Sequence, residues 1–461
     1  VSVLGPELDR LEHLQPARVV GRVAALRGLS VMADDLRVPI GSLVRIGVER
    51  ASTPAVLGEV VGFAREHTVV MLLGQTAGLR PGDPVACVQV AQTAPVGDGL
   101  LGRIIDGLGR PIDGKGPVRE RVSRPIDPDP IGPMQRRAIR EQLLSGVRAV
   151  DLMTPIGRGQ RLGIFAGPGV GKSTLLGQMA RATDADVSVI ALIGERGREV
   201  RDFVEQALGE EGLKRAVVVV ATGDESPLLR LRAAKLACTA AEHFRAGGRD
   251  VLLMMDSVTR FCHAQRQVGL TVGEPPATRG YTPSVFSQLA LLLERAGAVG
   301  EPDGGGSITG MYTILVEGDD TTEPISDAAR GILDGHLMLS RTLAQRGHYP
   351  AIDVLDSVSR VADDVTEVGH RAARVQLARM LATYHKVEDL VQIGAYAAGS
   401  DPEADVAIEF NREINAMLVQ GRGEAYAFGE ARAAMIDLAM RTGEAVQRLM
   451  QMRQGPRRGG A

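Results

Sequence analysis

The segment FAGPGVGKST, residues 165–174, sets three glycines ahead of a Lys-Ser-Thr run. Glycine loses more conformational freedom on folding than any other residue, so three in five positions need a reason. The apolar residues 162–166 read as a strand, Gly167, Pro168, Gly169, Val170 and Gly171 as a loop, and Lys172 onward as a helix. In that setting successive backbone N–H groups converge on a phosphate, and the helix N-terminus adds partial positive charge. Lys172 reaches the outer phosphates, and the hydroxyl of Ser173, with Thr174 beside it, is placed to ligate Mg²⁺. One departure is visible: Ala166 stands where the strict pattern has glycine.

Two further segments end apolar strands in acids. VLLMMDSVTR delivers Asp256, and a carboxylate at the C-terminal edge of a central strand suits Mg²⁺, directly or through water. Such an Asp also commonly caps a helix; the phosphate loop favours the metal reading. VIALIGERGREV delivers Glu195, a candidate to orient a water and take its proton, followed by Arg196, which could hold a phosphate or a neighbouring acid. The eight histidines show no metal-ligand spacing and there is no Cys-X-X-Cys.

Elements must position these groups. Between Ile139 and Arg360, apolar runs such as RLGIFA, DVSVIALIG, AVVVVAT, DVLLMMD and GMYTILVEG alternate with helical stretches. That pattern predicts a parallel sheet covered on both faces. Residues 17–90 carry short β-rich runs (ARVVGRV, SLVRIGV, AVLGEVVGF, TVVMLLG, DPVACV), the pattern of a small barrel or sandwich. A Gly/Pro-rich connector, 97–117, belongs to the nucleotide domain, which spans 91–370. Residues 371–451 are predicted helical, with Leu377, Met380, Leu381, Tyr384, Leu390 and Ile393 on one face, and 452–461 a disordered tail. Residues 1–16 predict an amphipathic segment with Leu8, Leu11 and Leu14 in a stripe.

Composition narrows the partners. The 461 residues carry a net charge of −3, 3% aromatics and no Trp, which speaks against nucleic acid. Cys87, Cys238 and Cys262 are scattered and imply no disulfide framework, so a cytoplasmic setting is expected. No apolar run approaches the 18 residues of a membrane span.

The connector GLLGRIIDGLGRPIDGKGP, the phosphate loop, GERGREV, MMDSVTRF and HYPAIDVLDSVSRV together resemble the rotary ATPase family, relatives of the ATP synthase catalytic subunit. Within it, AQRQVGLTVGEPPATRGYTPSVFSQLALLLERAG and VEGDDTTEPISDAARGILDGHLMLSR resemble the type III export ATPases, and GVRAVDLMTPIGRGQRLGIFAGPGVGKSTLLG the flagellar branch. The resemblance implies an α/β protein with an N-terminal six-stranded β-barrel, a RecA-like P-loop domain and a C-terminal helical domain. It implies an ATPase with ATP and Mg²⁺ as ligands, assembled as a homohexamer. By match, Lys172 binds phosphate, Ser173 and Asp256 handle Mg²⁺, Glu195 is the general base, and Arg196 and Arg260 lie near the phosphates. Tyr349 packs on adenine, with Tyr426 and Phe428 completing that wall, and Arg360 is an arginine finger into a neighbour's site. Implied partners are an export gate at the membrane, a stator-like regulator, a central coiled-coil stalk and export substrates or chaperones, at the cytoplasmic face of the inner membrane. The alternatives are an injectisome ATPase, an ATP synthase catalytic subunit and a Rho-like RNA translocase; against the last, Phe63 is the only aromatic before residue 90.

Overall fold

The computed structural model describes residues 19–47, 55–74, 78–316 and 322–454; the predicted N-terminal segment, 1–16, and the tail beyond 454 lie outside them. Six antiparallel strands come first: β1 (Val20–Arg27), β2 (Ser30–Asp34), β3 (Leu43–Ile46), β4 (Val56–Ala64), β5 (His67–Leu72) and β6 (Pro84–Gln89). They close into a barrel in the order β1-β2-β5-β4-β3-β6. Closure leaves no free sheet edge, and alternation turns Val23, Val31, Val44, Ile46, Val60, Val70 and Val85 inward as its core. The run SVMAD, which forms β2, was not among the strands expected from the sequence.

The second body is a mostly parallel sheet. Its main elements in chain order are β7 (Arg103–Asp106), α1 (Arg148–Met153), β8 (Arg161–Ala166), α2 (Lys172–Ala182), β9 (Val187–Ile193), α3 (Gly197–Asp202), β10 (Ala216–Ala221), α4 (Pro227–Ala246), β11 (Asp250–Asp256), α5 (Val258–Thr271), α6 (Pro283–Leu293), β12 (Ser307–Leu315), β13 (Gly335–Leu339) and β14 (Ile352–Ser359). The strand order is β14-β13-β8-β12-β11-β9-β10-β7, and β14 alone on this path runs antiparallel to its neighbour. Successive residues of each strand feed two cores. In β9, Val187, Val189, Ala191 and Ile193 face the core shared with α4, α5 and α6. Ile190 and Leu192 face the other, shared with α1 and α2. Both faces are buried, which is why these strands are continuously apolar.

The connector does more than mark a boundary: β7 arises inside it as the edge strand beside β10. Asp113 fixes the turn that follows, accepting from Arg103 Nε at 2.7 Å and from the Ile104 N–H at 3.1 Å. The C-terminal region is three helices, α7 (Val368–Gln392), α8 (Pro402–Leu418) and α9 (Phe428–Gln454). Leu377, Met380 and Leu381 are buried as expected, whereas Leu390 and Ile393 are exposed, because the last turns of α7 run past the packed part of the bundle.

One largely buried polar cluster ties the segment after the connector to the sheet's helical cover. Arg295 donates to Glu242 through Nε at 2.8 Å and Nη2 at 2.6 Å, to Thr239 Oγ1 at 2.9 Å, and to the Ile126 carbonyl at 2.9 Å. Removing one partner of a buried ion pair strands the other charge. Arg295→Ala is therefore expected to destabilise the protein by about 3–5 kcal/mol. The denaturant midpoint measures this, and a shift equivalent to under about 1 kcal/mol, the range of an exposed pair, would contradict the assignment.

Candidate functional site

The carboxyl ends of β8, β12, β11 and β9 lie side by side, so the three chemical segments meet at one edge of the sheet. Ala166 is the last residue of β8, paired with Leu315 and Leu339 and almost wholly buried. The position is extended strand with little room, so alanine serves where the strict pattern has glycine. Beyond it Gly169 (φ 78°) and Gly171 (φ 95°) adopt left-handed backbone, which a side chain would strain. Gly171 caps α2, so Lys172 and Ser173 open the helix; Ser173 is exposed, and Val170 is buried beneath the loop. Gly167 is buried and Pro168 exposed, with Thr174 half-buried in the first turn.

Lys172 links the acids. Its ammonium donates to Asp256 Oδ1 and lies 3.7 Å from Glu195 Oε1. Asp256, at the end of β11, is almost fully buried and also accepts from Thr313 Oγ1 at 2.7 Å. Ser257 then caps α5, accepting from the Arg260 N–H at 3.3 Å. Glu195 follows Gly194 (φ 74°) at the end of β9, and its carbonyl accepts from the Gly223 N–H at 3.1 Å. Burial, then the Asp256 charge, push the Glu195 carboxyl up to about 7 against the opposing pull of Lys172. Glu195 also hydrogen-bonds Glu199 of α3, whose own carboxyl that bond and Arg196 hold below its usual value. Arg196 is exposed, 3.6 Å from Glu199 Oε1. Arg260 is exposed on the first turn of α5, its aliphatic stem against Gly194.

Next to the phosphate loop lies a cleft of about 330 Å³, lined by Val170, Gly171, Thr174, Tyr349, Pro350 and residues 419–422 among others. A Cβ built on Gly171 would stand 3.6 Å from the Tyr349 ring. Tyr426 and Phe428 do not line this cleft. The Tyr426 hydroxyl donates to the buried Asp151 of α1, and the Phe428 ring lies 6.1 Å from His370. The wall is instead built from Val419, Gln420, Gly421 and Arg422. An aromatic side chain draws attention in a sequence; a Gly-containing turn between α8 and α9 is the weaker signal that marked this stretch.

Arg360 stands apart. Ile352, at the start of β14, pairs with Leu339 at the carboxyl end of β13, and Ser359 pairs with Gly335 at its amino end. The Arg360 N–H donates to the Asp334 carbonyl at 2.9 Å. Arg360 therefore sits at the amino edge of the sheet, displaced from the phosphate loop by the length of β13, about 13 Å at ~3.3 Å per residue. Lys172, Ser173, Glu195, Asp256 and Tyr349 come together at one edge, with Arg196 and Arg260 at its rim; Arg360 does not join them.

A phosphate loop on a central parallel strand, with acids on neighbouring strand ends, defines a P-loop nucleoside triphosphatase, here with a barrel before it and a helical bundle after it. Residues 146–359 match the ATP synthase alpha/beta family, nucleotide-binding domain, and residues 366–437 match the T3SS EscN ATPase C-terminal domain. The chain is 51% identical over 437 residues to the flagellum-specific ATP synthase of Treponema pallidum, covering 94% of this chain and 95% of that one. It is 48% identical over 408 residues to a type 3 secretion system ATPase of Xanthomonas euvesicatoria, covering 88% and 91%. The solved structure of the assembled ATPase EscN of the enteropathogenic E. coli type III secretion system is 40% identical with a TM-score of 0.84, covering 91% of this chain and all of that one. EscN in complex with its central stalk EscO gives 0.83, at the same identity and coverage. The chain belongs to the ATP synthase alpha/beta family, in its branch of flagellar and type III secretion ATPases, and is an ATPase.

The charge arrangement has a measurable sign. Lys172 lowers the Glu195 carboxyl, so Lys172→Met is expected to raise it above about 7 in the nucleotide-free protein. A carbon-13 titration of the glutamate carboxyls reads this; a value moving down toward the ordinary range would refute the arrangement.

Proposed function

We propose that this ATPase energises type III protein export, of flagellar components, as a homohexameric ring. The observation that carries this reading is the meeting of Lys172, Glu195 and Asp256 at the carboxyl edge of the sheet, within a chain whose relatives at about half identity are flagellar and secretion ATPases. The flagellar reading is supported by the 51% identity over nearly the full chain, and the injectisome reading by the EscN structures. Deleting the gene and scoring swimming and filament export tests the choice. Normal filaments with loss of a secreted effector would favour the injectisome. EscN assembles, and is solved with a central stalk; we infer a ring and a stalk partner here too. An export gate, a stator-like regulator and export substrates or chaperones are further proposed partners, at the cytoplasmic face of the inner membrane. Among the described residues no helix is long and apolar enough to cross a membrane.

In this reading the loop N–H groups and Lys172 hold the outer phosphates of ATP. The exposed Ser173 hydroxyl and the buried Asp256 carboxylate are hard oxygen donors, the chemistry Mg²⁺ takes. They would hold that ion, which supplies charge neutralisation on the phosphates when bound. Glu195 orients the attacking water and takes its proton as the new P–O bond forms and ADP leaves. Arg196 and Arg260 flank the phosphates, and Tyr349 with the cleft beside it takes the base. Arg360, at the opposite edge, serves the site of an adjoining subunit.

Two expectations follow from this chemistry. A base with a carboxyl near 7 works only when deprotonated, so kcat/KM should fall about tenfold per unit as pH drops below about 7. Glu195→Gln should bind ATP yet lose about 10²–10⁴-fold in turnover; a flat profile between pH 5.5 and 8, or normal turnover in the variant, would remove Glu195 from the role.

The second concerns assembly. Arg360→Ala should bind ATP and assemble but lose roughly 10³-fold or more in hydrolysis. Mixed with Lys172→Ala it should regain partial activity, because some interfaces pair an intact lysine with a neighbour's intact arginine. Full specific activity of a dilute, monomeric wild-type sample would exclude the trans arrangement.

A further inference from the structure

Residues 419–422 form one wall of the cleft beside the phosphate loop, yet they come from the turn between α8 and α9, outside the sheet domain. Something must fix that turn against Tyr349 and the loop. The only buried side chain among these four belongs to Gln420, which is 3% exposed. Its amide carbonyl accepts from the Arg148 N–H at 2.8 Å, at the start of α1. Its amide NH₂ donates to the Gly146 carbonyl at 3.1 Å and to the Glu424 carbonyl at 2.8 Å. Its backbone N–H donates to the Tyr349 carbonyl at 2.9 Å. One residue thus touches Tyr349 through its main chain and the sheet domain through its side chain.

The chemistry of the position is narrow. It needs an acceptor on one atom and two donors on the next, at glutamine length: glutamate lacks the donors and lysine lacks the acceptor. Around it two exposed contacts reinforce the same seam. Glu424 accepts from Arg148 Nη2 at 2.5 Å and from the Gly421 N–H at 2.7 Å. Tyr426 then donates to Asp151, which also accepts from Ser145 N–H and Oγ at 2.8 and 2.7 Å. This seam is where Tyr426 is used, in place of the cleft itself.

We propose that Gln420 is the positioning residue of the base cleft, holding the turn 419–422 against Tyr349 so that the cleft they line with the phosphate loop keeps the shape that takes a nucleobase. This rests on the reading of that cleft as the base site. It separates two parts of nucleotide affinity: the phosphates are held by the loop and Lys172, and the base by a wall whose place depends on Gln420. Loss of Gln420 therefore weakens binding only for ligands that carry a base.

The test compares Mg²⁺ complexes of ATP and of inorganic tripolyphosphate, titrated calorimetrically into full-length wild type, Gln420→Ala, Glu424→Ala and Tyr349→Ala. Gln420→Ala should raise the Kd for ATP about tenfold, the equivalent of one well-made hydrogen-bonded contact, and leave the Kd for tripolyphosphate within twofold. In steady state KM for ATP should rise with kcat nearly kept. Glu424→Ala, a change at an exposed residue, should show the same selectivity at a smaller size, and decides the matter if Gln420→Ala does not fold. Unchanged ATP affinity, or equal losses for both ligands, would overturn the proposal. If Tyr349→Ala also fails to separate the two ligands, the base-cleft reading itself falls; if Tyr349→Ala separates them and Gln420→Ala does not, only the role of Gln420 falls.

Discussion

A single ammonium group between two carboxylates is the constraint on which the site depends. Asp256 and Glu195 emerge from neighbouring strands of a parallel sheet, so the fold itself forces two acids toward one point. Without a cation they would repel, and burial would add to the penalty. Lys172 answers both, and it does so because it opens the helix that follows the next-but-one strand, with β12 between. The strand order, the glycine loop and the lysine are therefore one design: altering any of them leaves an uncompensated charge. Burial and the Asp256 charge lift the Glu195 carboxyl to about 7, the range that the base role proposed for it requires.

Much of this was legible in the sequence because each signal was local. RLGIFA and DVLLMMD coincide with their strands residue for residue, since burial on both faces leaves no polar interruption to blur their ends. Glycines at 169 and 171 are demanded by backbone geometry, so they too are written plainly. What the sequence hid is non-local. The strand Arg103–Asp106 sits in a run of turn residues and is a strand only because β10 offers it an edge. SVMAD is too short for its alternation to stand out. The cleft wall is made of Val419 to Arg422, residues without a chemical label, while Tyr426, two positions past Glu424, is turned to Asp151. An aromatic side chain advertises itself in a sequence; only the packing of α1 decides that Tyr426 turns to Asp151 and away from the cleft.

The three bodies share apolar cores across their seams, and polar contacts join them as well. Arg232 of α4 donates to the Thr93 carbonyl at 3.0 Å and to Gln92, which reaches the Gly41 carbonyl of the barrel at 2.7 Å. Arg295 donates to the carbonyl of Ile126, which follows the connector. Gln420 and Tyr426 join the helical region to α1. Such contacts are directional, so they fix register between bodies where apolar surfaces would allow sliding.

The strand β14 leads from Tyr349, in the cleft beside the phosphate loop, to Arg360 at the far edge of the sheet. Its eight residues run against the five of β13, with a bulge between Asp353 and Val358, so its two ends stand about 13 Å apart at ~3.3 Å per residue of β13. A strand with different chemistry at its two ends has a polarity. Copies set head to tail in a closed circle all point that strand the same way around, and the circle acquires a handedness that no isolated copy displays. Clockwise and anticlockwise neighbours then become inequivalent.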